Sequence, residues 1–107
     1  MTPLYQYIVL HKSCGNLPGI AAVQAVHAAT ECLRELPVAA TTHVCILQAN
    51  TSADLEALAV RLTDNGIHHT IIREPDSPYN GAAVAVGIDI MTRELVRPHV
   101  SDFKAFR

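Results

Sequence analysis

Short apolar segments alternate with helix-length segments through the first two thirds of this chain. The apolar segments are residues 5–10, 42–49 and 67–72, and each is short and rich in β-branched or aromatic side chains, as is typical of strands. A helix that connects two strands of one sheet almost always makes a right-handed crossover between parallel strands. The pattern therefore predicts an α/β fold in which the first three strands run parallel.

Helix signals lie between these strands. Pro18 and Gly19 precede the alanine-rich residues 20–36, and a proline is harmless at a helix start because its missing N–H would be unpaired there. Pro37 is expected to close this helix. The second helix has capping side chains at residues 50–52, a stop signal at residues 65–66 and leucines at helical spacing, Leu55, Leu58 and Leu62.

The second half adds a turn-rich segment, residues 74–81, and a fourth apolar strand at residues 82–88. The short connection favours an antiparallel pair of the third and fourth strands. The tail from Thr92 has helical character, which Pro98 is expected to break or restart. We therefore expect a three-layer α/β/α fold with a four-stranded mixed sheet in the order β-α-β-α-β-β-α, forming a single domain over residues 1–107.

Composition narrows the classes of protein that this chain can represent. Half of its 107 residues are apolar, which is enough to fill one core without disulfides or a metal. No apolar stretch approaches the roughly 20 residues that cross a bilayer, and the three cysteines show no disulfide or zinc spacing. These features predict a cytoplasmic protein with reduced thiols, no membrane association and no metal or cofactor.

Charge argues against a protein that wraps nucleic acid by bulk electrostatics. The formal net charge is −2, whereas such proteins usually carry a clear basic excess. Cations are concentrated in residues 91–107 and anions in residues 54–64. A modest basic patch and two ordinary solvated helix faces remain equal interpretations of this distribution.

A polar stripe interrupts the otherwise small and aliphatic first helix. Gln24, His27 and Glu31 are spaced to lie along one face, with Thr30 beside them. One interpretation is that Gln24 and His27 are satisfied core residues or face a dimer partner. The other is a catalytic site, because an imidazole can take a proton from water at neutral pH while an amide orients that water or a carbonyl.

Further candidates lie at the carboxyl ends of the parallel strands, where α/β sheets form their ligand crevices. His11 and Lys12 follow the first strand, and Arg73 and Glu74 end the third. Lys12 is either a phosphate contact or a solvated loop lysine, and Glu74 either orients or replaces His27 as the base or pairs with Arg73 at the surface. Gly19 lets a ligand approach the unpaired N–H groups of the first helical turn, which can receive a phosphate or a developing oxyanion.

The chain resembles the type II peptidyl-tRNA hydrolases, and is most similar to the branch called peptidyl-tRNA hydrolase domain-containing protein. The likeness covers nearly the whole chain and is carried by YQYIVLHKSCG, by GIAAVQAVHAATECL, by the stretch from VCILQANTSADLEALAVRLTDNGI to the fourth strand, and by the terminal KAFR. The helix motif is the most specific of these, because Gln and His at this spacing in an alanine-rich helix after a glycine are unusual.

The resemblance implies a mixed four-stranded sheet, a homodimer, tRNA or peptidyl-tRNA as partner, and metal-independent hydrolysis of the ester that joins a peptide to tRNA. Gln24 and His27 match the family motif, and the family's aspartate falls on Glu74. Its helix-start lysine falls on Ile20, and its threonines fall on Ala82 and Val84.

Two hypotheses follow. In the first, His27 or Glu74 activates water, Gln24 positions it, and His11, Lys12, Gly19 and Arg73 contribute to substrate binding. In the second, the chain is a catalytically weak or inactive homodimeric binding module with the same fold.

Overall fold

The computed structural model describes residues 3–16, 18–33 and 42–106. Within these ranges the strands are β1 (Leu4–His11), β2 (His43–Ala49), β3 (His69–Arg73), β4 (Ala83–Ile88), β5 (Met91–Thr92) and β6 (Lys104–Ala105). The helices are α1 (Pro18–Glu31), α2 (Ser52–Asp64) and α3 (Arg93–Val100), and a short 3₁₀ helix covers Lys12–Asn16.

The strands form one mixed sheet in the order β3-β4-β1-β2-β6, with β5 also paired to β1. β1 and β2 are parallel, in a register that runs from Tyr5 opposite His43 to His11 opposite Ala49. β4 is antiparallel to both β1 and β3, which confirms the predicted antiparallel pair. β3 thus runs parallel to β1, as predicted. The two strands are not neighbours, because the fully buried β4 lies between them.

The predicted count of four strands is too low for the part of the chain described here. The two additional strands, β5 and β6, contain two residues each and are too short to produce an alternating pattern in the sequence. They form because the edges of β1 and β2 offer unpaired backbone groups.

The helix bounds differ from the expectation at both ends of the chain. α1 begins at Pro18 and ends at Glu31, so Cys32 and Leu33 lie beyond it, while residues 34–36 and Pro37 are outside the described residues. Pro98 lies inside α3, which continues to Val100. The predicted break at Pro98 is therefore wrong, because the buried Val96 and Val100 hold this short helix against the core.

α2 has the predicted start, end and buried face. Thr51 is its N-cap, with a side-chain oxygen that accepts a hydrogen bond from the Asp54 N–H at 3.1 Å. Asn65 is its C-cap, and the three leucines at helical spacing are all fully buried. None of the described helices is long and apolar enough to span a bilayer.

Side chains that alternate along β1 enter two separate cores. Ile8 and Leu10 pack with Ala28 of α1 on one face of the sheet. Tyr7 and Val9 pack on the other face with the leucines of α2 and the valines of α3. The sheet is therefore covered by α1 on one side and by α2 and α3 on the other.

A glycine in β4 sets the distance between α1 and the sheet. A Cβ atom added at Gly87 would lie 2.0 Å from the backbone oxygen of Ala28, a contact that no ordinary side chain can make. The absence of a side chain lets the helix backbone approach the strand closely. This contact lies one turn after Gln24 and helps to fix the rotation and height of that residue.

Candidate functional site

A cleft of about 740 Å³ opens at the carboxyl ends of β1 and β3. Its walls come from Cys14 in the 3₁₀ helix, from the first turns of α1, from Glu74 and residues 76–79 of the loop after β3, and from Val84 of β4. Volumes of 300–1,000 Å³ are typical of small-molecule sites. The cleft lies at the edge of the sheet where the order of the strands predicts a ligand crevice.

Gln24 and Glu74 meet at the wall of this cleft. The Gln24 side chain is only 5% exposed, and its Nε2 donates a hydrogen bond to Glu74 Oε2 at 3.2 Å. The other carboxylate oxygen, Oε1, accepts the backbone N–H of Asp76 at 3.2 Å. The loop itself is closed by backbone bonds from Glu74 N–H to the Ala82 oxygen at 3.2 Å and from Gly81 N–H to the Glu74 oxygen at 2.7 Å. Both oxygens of the carboxylate are therefore held in place.

The side-chain oxygen of Gln24 has no partner of this kind. Oε1 is buried and accepts no hydrogen bond from the described residues. The carboxylate of Glu74 accepts hydrogen bonds only, so it requires the Nε2 group of Gln24 to face it, and the amide cannot be turned to exchange its two ends. A buried acceptor without a donor is unusual in a folded protein. The described residues thus leave the hydrogen-bonding capacity of this oxygen unused.

His27 does not join this pair. Its side chain is exposed and does not line the cleft. The side chains of Thr30 and Glu31 are also exposed. Each residue of a helix adds about 100° of rotation. His27 comes three residues after Gln24, so its side chain projects about 60° away from that of Gln24 around the helix axis. Only Gln24 of the predicted stripe turns inward, because Ala28 and Gly87 set the buried face of α1.

A second polar cluster ties the loop after β3 to the end of β1. The backbone N–H of Ser13 donates to His11 Nδ1 at 3.1 Å, and the Ser13 hydroxyl is hydrogen-bonded to that of Tyr79. The His11 and Tyr79 rings meet edge to face, with centroids 6.1 Å apart. Burial, followed by the neighbouring Lys12, lowers the pKa of His11. His11 Nδ1 carries no proton, because it accepts the Ser13 N–H. Tyr79 lines the cleft.

Ser13 and Tyr79 are residues that the sequence did not single out. Tyr79 is the one aromatic residue in the turn-rich segment of residues 74–81, which is the signal that could have found it. Nothing in the local sequence distinguishes Ser13 from other loop serines.

The remaining predicted residues divide between the cleft and its surroundings. Gly19 lines the cleft, with open space where a side chain would project. Lys12 is exposed on the 3₁₀ helix. Arg73 makes two hydrogen bonds to Glu56 of α2, at 2.6 and 2.8 Å, rather than to Glu74. Its guanidinium is thus engaged on the α2 side of the sheet and does not line the cleft.

The electrostatics and lining of the cleft are dominated by carboxylates and apolar groups. Among the described residues, no lysine or arginine lines it. Ile20 and Val84 contribute apolar surface to the cleft, and Glu74 and Asp76 supply negative charge. Arg93 lies over the Tyr5 ring at 5.9 Å, at the opposite end of β1. The described residues also contain no group of three or more His, Cys, Asp or Glu side chains placed to hold a metal ion.

This arrangement has a clear chemical capacity. A carboxylate with a fixed orientation can accept a proton from water, and an amide beside it fixes the geometry of both partners.

No protein-family model matches the chain, and a search of curated proteins found no significant match.

Proposed function

We propose that the chain hydrolyses the ester bond between a peptide or blocked aminoacyl group and tRNA, with Glu74 as the general base. The observation that carries this proposal is the contact of Gln24 Nε2 with Glu74 Oε2 at the wall of the cleft. The resemblance of the α1 motif to the type II peptidyl-tRNA hydrolases supports the choice of substrate. The tRNA partner, a homodimer and a cytoplasmic location are parts of the same proposal.

In this mechanism Glu74 takes one proton from a water molecule as the water oxygen attacks the ester carbonyl carbon. The bond between that carbon and the ribose oxygen then breaks, and Glu74 returns the proton to the leaving oxygen. Gln24 holds the carboxylate in position and takes no proton. Gly19 and Ile20 belong to the first turn of α1, where the backbone N–H groups have no acceptor within the helix. These N–H groups can donate hydrogen bonds to the carbonyl oxygen as negative charge develops on it.

Glu74 is preferred to His27 as the base because of position. Glu74 lines the cleft and has a hydrogen-bonded orientation, whereas His27 lies on the exposed side of α1. A general base has to reach the proton that it removes, directly or through one water. His27 is instead available for contacts outside the cleft.

A second candidate function is a binding module without catalysis. It is favoured by the absence of cations from the described cleft lining and by the apolar Ile20 and Val84 there. Exposed valines and isoleucine on α1 and β2, Val26, Val44 and Ile46, would give such a module a surface for self-association.

Deacylation of N-acetyl-aminoacyl-tRNA tests the proposal. Glu74→Gln retains the shape of the side chain but removes its basicity, so we expect the rate to fall by about 10²-fold or more. Glu56→Gln is the matched control, because Glu56 is an exposed carboxylate outside the cleft. Both Glu56→Gln and His27→Ala should stay within about threefold of the unmodified protein.

The pattern of rates distinguishes the alternatives. Loss of activity in His27→Ala with retention in Glu74→Gln would reverse the assignment of the base. If the unmodified protein releases no N-acetyl-amino acid above background, the hydrolase proposal is eliminated and the binding module remains. Retention of tRNA on a column at low salt, lost at moderate salt, would then show whether that module binds tRNA through a few phosphate contacts.

A further inference from the structure

The α1 side of the cleft carries two exposed apolar side chains that lie outside the buried core. Ile20 and Val23 are 41% and 53% exposed, yet both line the cleft beside Gln24. Val84, which belongs to the core beneath α1, and Tyr79 of the loop also line the cleft. We call the set Ile20, Val23, Tyr79 and Val84 the apolar wall.

We infer that the apolar wall binds the side chain of the residue whose carboxyl group forms the ester, and that it selects large aliphatic or aromatic side chains. This inference rests on the proposed function and adds a substrate class to it. The wall adjoins the Gln24–Glu74 pair, so a side chain bound there places its own carbonyl carbon near the carboxylate. The volume of about 740 Å³ accommodates such a residue together with the adjoining sugar.

The unpartnered oxygen of Gln24 supplies a second and independent indication of the ligand. Gln24 Oε1 is a buried acceptor in need of a donor, and the side chain belongs to the same stretch of wall. The amide N–H of a peptide or N-acetyl group is one bond from the carbon that bears the side chain. Because Oε1 is itself buried, a small shift of the Gln24 side chain would be needed for a blocked residue to fill the apolar wall and donate to this oxygen.

Charge defines what the wall should exclude. The described lining contains the carboxylates of Glu74 and Asp76 and no cation. An acidic side chain would be desolvated and repelled there, and glycine would leave the wall uncovered. A basic side chain could approach Asp76, which is exposed at the rim, but would lose its hydration against the apolar wall.

Two measurements on the full chain test this selectivity. The first compares kcat/KM for one tRNA that carries N-acetyl-leucine, N-acetyl-glycine, N-acetyl-aspartate or N-acetyl-lysine. The second compares the binding of N-acetyl-leucinamide and N-acetyl-glycinamide by NMR titration, which needs no hydrolysis. We expect leucine to exceed glycine by about tenfold or more in both measurements, since apolar pockets discriminate by roughly 10–200-fold for each methylene group.

Variants on one helix provide a matched set. Val23→Ser and Ile20→Ser remove apolar wall without touching the buried core, and each should lower the leucine-to-glycine ratio by about threefold or more. Val26→Ser is the control, because Val26 is 59% exposed on the same helix and does not line the cleft. It should leave the ratio unchanged.

The outcomes separate this inference from the hydrolase proposal. Hydrolysis at equal rates for leucine and glycine, or faster hydrolysis for lysine or aspartate, overturns the inference and leaves the hydrolase standing. Preferential binding of the leucine amide without any hydrolysis supports the apolar wall while refuting the esterase. No hydrolysis and no preference in binding overturns both.

Discussion

Replacement of Gly87 by alanine should disturb both the fold and the candidate site. The added Cβ atom would lie 2.0 Å from the Ala28 oxygen and 2.6 Å from the Ala28 carbonyl carbon. Ordinary contacts of this kind begin at 3.4 Å, so α1 must retreat from β4 by about 1 Å or more. Both contacted atoms belong to the helix backbone, so no side-chain rotation can relieve them. Overpacking typically costs about 1–3 kcal/mol, and we expect Gly87→Ala to lie at or above the upper end of that range.

Urea unfolding followed by circular dichroism measures this loss. Gly19→Ala is the matched control, because a Cβ atom there meets nothing within 4 Å, and its stability should be unchanged or higher by up to about 1 kcal/mol. The retreat of α1 also lengthens the Gln24–Glu74 hydrogen bond, already 3.2 Å, so the proposed deacylation should fall in Gly87→Ala. A free energy of unfolding within about 0.5 kcal/mol of the unmodified protein would refute the close contact.

Three further predictions use the same unfolding assay. Leu58→Ala should lower the free energy of unfolding by about 2–5 kcal/mol, because Leu58 is fully buried in α2. Val60→Ala, at an exposed position of the same helix, should change it by less than about 0.5 kcal/mol. Similar losses of stability in the two variants would contradict the burial of Leu58. Thr51→Ala should cost about 1 kcal/mol because it removes the acceptor for the Asp54 N–H, and an unchanged midpoint would argue against this cap. Burial and Lys12 lower the pKa of His11 in the folded state, so its contribution to stability is present above about pH 6.5 and is lost as the pH falls. His11→Asn should flatten that fall, and an identical pH dependence in the variant would contradict the assignment.

The arrangement of secondary structure follows closely from local patterns. Capping at Thr51 and the leucine spacing of α2 were predictable because both depend on residues within a few positions of one another. The parallel pairing of β1 and β2 follows from the helix between them. The position of β4 between β1 and β3 does not, because it depends on which strand edges pair across the sheet.

The candidate site was only partly predictable for the same physical reason. Gln24 and Glu74 were both candidates, but their contact joins positions 50 residues apart. Helical spacing placed Gln24 and His27 on one polar stripe, although the helix turns the first inward and leaves the second exposed. The spacing gives the angle between two residues on a helix and says nothing about which of them faces the sheet.

The sequence alone determined the alternation of strands and helices, the buried face of α2 and the edge of the sheet where a cleft would form, since each arises from local periodicity or from chain connectivity. Only the tertiary structure decided that Gln24 meets Glu74, that Arg73 turns to Glu56, and that His27 stays outside. The positions of Gln24 and His27 depend on the rotation and height of α1, which are set by a close backbone contact with Gly87, a residue about 60 positions further along the chain. The Arg73–Glu56 pair instead depends on how α2 packs against β3.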